Sequence, residues 1–194
     1  MGHKSNSDTT YIVSWHPRSG TSMMMKALIA GGLEGEFSRE RNRQKTQRKK
    51  PEYEANPGGF YELAKRVQMQ PRFPELFEGK LIKVLFRGLG NLYPGNYKVV
   101  YMLRNPEEIS ASMEKVGMRP RRLGWSRPED YFDVMQHYLT VADNRKDMEI
   151  IQMWYSDVID DPIKAFGKVK AFGIPVDVRL ASKVVTSNLY RNRA

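Results

Sequence analysis

The stretch from Tyr11 to Ser22, YIVSWHPRSGTS, runs directly into MMMKALIAGG, and its reading decides the fold. Tyr11 to Trp15 is a short apolar run of strand formers, and Thr21 to Ala30 carries helix formers that stop at Gly31-Gly32. A glycine-bearing loop therefore joins a strand to a helix. Such a loop presents backbone N–H groups at a helix N-terminus, which together with the helix dipole attract an anion. Ser19, Thr21 and Ser22 add hydroxyl donors, Gly20 allows close approach of a ligand, and Arg18 supplies a positive charge. The loop departs from the ATP-type pattern GxxxxGK[ST], because Trp15 stands where the first glycine belongs and Thr21 where the lysine belongs. A competing reading is that the serine and threonine only cap the helix.

Working outward, Leu81 to Phe86, Lys98 to Leu103 and Met148 to Trp154 read as further strands, near-continuous in apolar character as if both sheet faces were covered. Helical patterns lie between and after them. Pro106 to Lys115 opens with proline and two glutamates, which suit a helix start. Pro128 to Asn144 and Pro162 to Phe172 each carry a one-sided apolar stripe. Strands alternating with helices predict an α/β protein with a mostly parallel central sheet flanked by helices, its ligands at the carboxyl ends of the strands.

A chain of 194 residues fits one domain, 1–194, and a net charge of +10 favours an anionic partner: a nucleotide, a nucleic acid, an acidic glycan or a membrane surface. The absence of cysteine excludes disulfides, thiolate metal sites and cysteine nucleophiles, and three histidines argue against a multi-histidine metal site. The first ten residues lack a signal-peptide core and no apolar run reaches the roughly 20 residues of a membrane span, so a cytoplasmic protein without membrane contact is expected. Arg39 to Lys50, RERNRQKTQRKK, sets seven basic residues against Glu40 and has no apolar stripe. It reads as an exposed basic segment at about 38–57, either a solvated loop or an element that folds over a cofactor or receives an acidic acceptor.

A second motif sharpens the reading. VVYMLRNPEEISASMEK places Arg104 at the end of a strand and Ser112 eight residues on, inside the next helix. PRSGTS after a first strand, then RNP with that serine, resembles the sulfotransferases that use 3′-phosphoadenosine 5′-phosphosulfate (PAPS). The late segment MWYSDVIDDPIKAFGKVKAFGIPVD is similar to that family's strand, acidic turn, helix and FG-hydrophobic-P run. The similarity extends from Tyr11 to about Asp177, in the family's order, and implies a three-layer P-loop-like fold.

The resemblance implies roles for individual residues. Arg18, Ser19, Gly20, Thr21 and Ser22 would cradle the 5′-phosphosulfate. Arg104 and Ser112 would hold the 3′-phosphate, a task suited to a guanidinium because it grips phosphate through two charge-assisted hydrogen bonds. Tyr155 stands where the family has an aromatic near the adenine, or is a core tyrosine. Arg191 or Arg193 is either a further 3′-phosphate ligand or part of a solvated tail. Arg18 would also stabilise charge on the bridging oxygen, with no metal required. The family's histidine in a KTHLP-like strand is missing from Lys83-Val84-Leu85-Phe86-Arg87. Glu62 in NPGGFYEL, similar to a G-aromatic-Glu motif of short bacterial-type members, is the first candidate for the general base and His16 the second. His137 reads as structural. The expected function is sulfuryl transfer from PAPS, giving PAP, to a hydroxyl or amine acceptor. The alternatives are a kinase with a degenerate P-loop, a PAP-binding relative without catalysis, and, least favoured, a nucleic-acid-binding module.

Overall fold

The computed structural model describes residues 8–39, 42, 59–63, 65–68, 70–118, 127 and 129–185. Most of the basic segment lies outside these residues, and so does the tail that carries Arg191 and Arg193. Four strands, β1 (Thr10–Trp15), β2 (Leu81–Leu85), β3 (Tyr97–Leu103) and β4 (Met148–Trp154), form one sheet in the order β2-β1-β3-β4. All three pairings are parallel, with Val13 beside both Lys83 and Val100. The expected α/β architecture with helices flanking a parallel sheet is what the chain adopts.

The chain leaves β1 to form β2 on one side, then crosses to form β3 on the other. That reversal opens a crevice at the carboxyl ends of β1 and β3, the place where open α/β sheets hold ligands. Two loops enter it: His16 to Gly20 after β1, and Arg104-Asn105 after β3.

The helices are α1 (Thr21–Ala30), the single turns α2 (Lys65–Gln68), α3 (Phe73–Leu76) and α4 (Phe86–Leu89), then α5 (Pro106–Glu114), α6 (Asp130–Asp143), α7 (Tyr155–Asp160), α8 (Pro162–Ala171) and α9 (Val178–Lys183). Their starts are locally encoded. The Asn105 side chain accepts from the Glu107 N–H with Pro106 in the first turn, and Asp161 accepts from the Lys164 N–H with Pro162 in the first turn. Both prolines sit where a missing N–H costs nothing. The Asp177 carboxylate caps α9 through the Leu180 N–H.

Two expectations are modified. The acidic turn after β4 coils into α7, because Tyr155, Val158 and Ile159 fall on one face and are buried. β4 is covered less than expected: as the sheet edge it exposes Glu149, Gln152 and Trp154. The interior strands β1 and β3 are buried along almost their whole length, and Trp15, Tyr11, Tyr97 and Tyr101 are among the largest buried side chains. Among the described residues no helix is long and apolar enough to cross a membrane, and no group of three His, Asp or Glu side chains could hold a metal ion.

Candidate functional site

The loop after β1 is tightly wound. Trp15, Arg18 and Gly20 have φ of 117°, 73° and 97°, left of the ordinary region for two side-chain-bearing residues. Such backbone costs on the order of 1–3 kcal/mol per non-glycine residue and persists only where surrounding contacts hold it. Here the Trp15 ring packs against Tyr101 and Phe86, and its Nε1 donates to the Tyr131 hydroxyl at 2.6 Å. Ser19 closes the turn, its N–H and its hydroxyl both donating to the His16 carbonyl at 3.2 and 2.8 Å.

Gly20 is the residue at the start of α1, and no side chain caps that helix; its first turn also carries no acid. The capping reading of the serines therefore fails, since the Ser19 hydroxyl is directed at His16 instead. The structure adds its own requirement for glycine: the backbone is left-handed here and a Cβ at Gly20 would clash with the Tyr155 ring.

Arg104 ties the two loops together. Its Nη1 donates to the Arg18 carbonyl at 3.0 Å, its Nε donates to Glu108 Oε2 at 2.8 Å, and its guanidinium lies 4.5 Å from the centre of the Tyr155 ring. Arg104 is 7% exposed and Glu108 5%. From the other side, Arg18 Nε donates to the Ser112 hydroxyl at 2.9 Å. Arg18, more than eighty residues before the other two in sequence, thus joins the buried Arg104 and Ser112 in one cluster. Burial pushes the Arg18 pKa down, and the neighbouring Arg104 charge pushes in the same direction. Tyr155 is buried between Gly20 and Arg104, and burial raises its pKa.

Two further residues border the loop. Lys83, in the middle of β2 and 4% exposed, donates to the Ser22 hydroxyl at 3.1 Å and to the Phe60 carbonyl at 2.9 Å. Sequence reasoning passed over it while searching that strand for a histidine. A lysine inside an otherwise apolar, buried strand was the available signal. Through Phe60 this lysine also brings the segment 59–63 to the loop, and with it the half-buried Glu62. Phe60 and Tyr61 donate their N–H groups to the Asn42 side chain.

His16 is fully buried, its ring stacked on Phe86 at 5.6 Å and Nδ1 2.9 Å from the Pro17 carbonyl. A carbonyl only accepts, so Nδ1 carries the proton. Burial drives the His16 pKa down to about 4, opposed by the Pro17 hydrogen bond and assisted by the Arg87 charge. His16 is neutral at pH 7 and enclosed by rings. A cleft of about 720 Å³ opens beside the cluster, lined by Asn105, Pro106, Glu107, Glu129, Phe132 and Trp154. It adjoins Arg104 and Tyr155 in sequence, but none of the residues expected to bind a ligand lines it.

No protein-family model matches the chain, and no curated protein does. Among solved structures it is similar to the sulfotransferase domain of the Synechococcus PCC 7002 olefin synthase, with 16% identity and a TM-score of 0.44 over 99% of this chain and 80% of that one. A likeness of that degree says nothing about the chemistry of this chain.

Two outcomes follow from the loop. Gly20→Val should destabilise the fold by at least about 2 kcal/mol, from left-handed backbone strain and the Tyr155 clash, instead of only obstructing a ligand. An unchanged midpoint in urea denaturation would contradict this. His16 binds a proton near pH 6.5 when unfolded and near pH 4 when folded. The unfolded chain thus holds more protons between these values, so stability falls as pH drops from 6.5 to 4, by roughly 3 kcal/mol in all. In His16→Asn the part of the decline above pH 5 should disappear from a pH series of denaturation curves.

Proposed function

We propose that the chain is a sulfotransferase that takes a sulfuryl group from PAPS and passes it to a hydroxyl or amine acceptor. The observation that carries this reading is the convergence of Arg18, Arg104 and Ser112 at the switch point, beside a helix start that no side chain caps. Two guanidiniums and the N–H groups of α1 suit a ligand with phosphate at both its 5′ and 3′ ends.

PAPS, when bound, supplies the sulfuryl group already attached to a good leaving phosphate. The chain's residues do the rest. The α1 N-terminus and Ser22 hold the 5′ side, and Arg104 with Ser112 holds the 3′-phosphate. As the bond from sulfur to the bridging oxygen breaks, the electron pair stays on the departing phosphate, and Arg18 and Lys83 are the cations that offset this charge. Preorganised cations in a buried setting do this without reorganising at the moment of reaction. The acceptor gives up its proton as its oxygen or nitrogen bonds to sulfur. Glu62 is our assignment for the base, since it is half-buried and its segment is held to the loop by Lys83. His16 is the second assignment, weakened by its full enclosure.

Replacing Arg104 by alanine would strand Glu108 as a buried charge at a cost of about 3–5 kcal/mol, so lysine is the better probe. Arg104→Lys keeps the cation but loses the planar fork. Calorimetric titration should show PAP weakened by roughly 10- to 150-fold, equivalent to about 1.5–3 kcal/mol, with ADP nearly unaffected and Ser112→Ala milder. Equal weakening of PAP and ADP would assign Arg104 to the fold or the 5′ side.

Glu62→Gln should lower turnover by about 100- to 10,000-fold at nearly unchanged PAP affinity, the usual worth of a general base. Near-normal turnover in that variant would remove Glu62 from the base role and leave His16.

A further inference from the structure

Glu107 and Glu108 are adjacent acids at the start of α5, yet the structure separates them. Glu107 is exposed in the first turn, while Glu108 is buried and turned back onto Arg104 Nε at 2.8 Å. We infer that Glu108 is the resident counter-ion of the anion site: it positions Arg104 and, by holding down the local positive charge, sets how tightly a doubly charged phosphate is retained. The inference rests on the reading that Arg104 and Ser112 face a 3′-phosphate.

The charge count carries the argument. Arg18 and Arg104 are two cations joined through the Arg18 carbonyl, Arg104 buried and Arg18 half-buried. Counting Arg18, Arg104 and Glu108 alone among the described residues, the three sum to +1 with the carboxylate and +2 without it. Like charges that close repel strongly in a medium of low dielectric, so the carboxylate is what allows the free protein to keep both guanidiniums in place. The same carboxylate opposes an incoming anion. A phosphate monoester near pH 7 carries about −1.5 to −2 charges. It therefore meets attraction from two arginines and repulsion from Glu108, and the outcome is a site stable when empty and able to release its product. Geometry contributes as well. The Nε contact to Glu108, the Nη1 contact to the Arg18 carbonyl and the Tyr155 ring below together fix the plane of the guanidinium.

Glu108→Gln separates charge from position, because the amide oxygen can still accept from Arg104 Nε. In this variant the midpoint of urea unfolding without ligand should fall. PAP affinity should rise by on the order of 100-fold, as removal of a unit charge several ångströms away at an effective dielectric near 20 implies, and the gain should shrink at high salt. ADP, which has no 3′-phosphate, should change by less than about twofold. If the variant is too unstable to titrate, added PAP should restore its folding by mass action, and ADP at the same concentration should do so much less. Lost stability together with weakened PAP binding, or failure of PAP to rescue, overturns the inference and makes Glu108 a structural prop. Arg104→Lys in the same titrations keeps the two failures apart. If lysine leaves PAP binding unchanged, the 3′-phosphate reading falls and this inference with it; if lysine weakens PAP while glutamine also weakens it, only the counter-ion role is lost.

Discussion

Two arginines, Arg104 buried and Arg18 half-buried, held in one hydrogen-bonded cluster at the carboxyl end of a parallel sheet are the constraint around which the rest of the site is arranged. An isolated buried charge is costly by several kcal/mol, so each guanidinium has to be matched. Arg104 is matched by the Glu108 carboxylate, the Arg18 carbonyl and the face of Tyr155. Arg18 is matched by the Ser112 hydroxyl. Because these partners come from β1, β3, α5 and α7, the arrangement exists only when the sheet order is β2-β1-β3-β4.

The loop after β1 follows from that requirement. For the Arg18 carbonyl to meet Arg104 while its side chain reaches Ser112, the backbone turns through left-handed conformations at Trp15, Arg18 and Gly20. Burial of Trp15 among Tyr101, Phe86 and Tyr131 offsets the strain. Tyr155 then fits against Gly20 only because that residue lacks a Cβ. Fixed charges held this way by the fold are what the proposed transfer chemistry would require.

What was legible in the sequence was whatever local pattern encodes. YIVSW, LIKVL, KVVYML and MEIIQMW carry the strand signal in their apolar runs, and the prolines and capping residues Asn105, Asp161 and Asp177 mark helix starts. Arg104 and Ser112 were singled out by the resemblance, but that Ser112 meets Arg18 while Arg104 meets Glu108 was not legible. Contacts between distant segments were not. Glu108 looked like an ordinary acid at a helix start, because nothing in the run PEE tells which of two adjacent glutamates turns inward. Lys83 was hidden by a search for another residue type on the same strand. The contact of Gly20 with Tyr155 was not legible either, since that ring lies 135 positions further along. His16 showed its ring and its nearness to the loop, but its enclosure depends on Phe86 and Tyr131, which only the folded chain supplies.

The account stands on a site that distinguishes ligands by their 3′-phosphate. The most direct test is thermal unfolding of the unmodified protein with PAP, ADP, ATP and AMP at matched concentrations. A ligand at 100 times its dissociation constant adds about 2.7 kcal/mol, enough to raise the melting temperature by a few degrees in a chain of this size. The account predicts a clear rise with PAP and a much smaller one with ADP, ATP and AMP. A rise with ATP or ADP equal to that with PAP would contradict it.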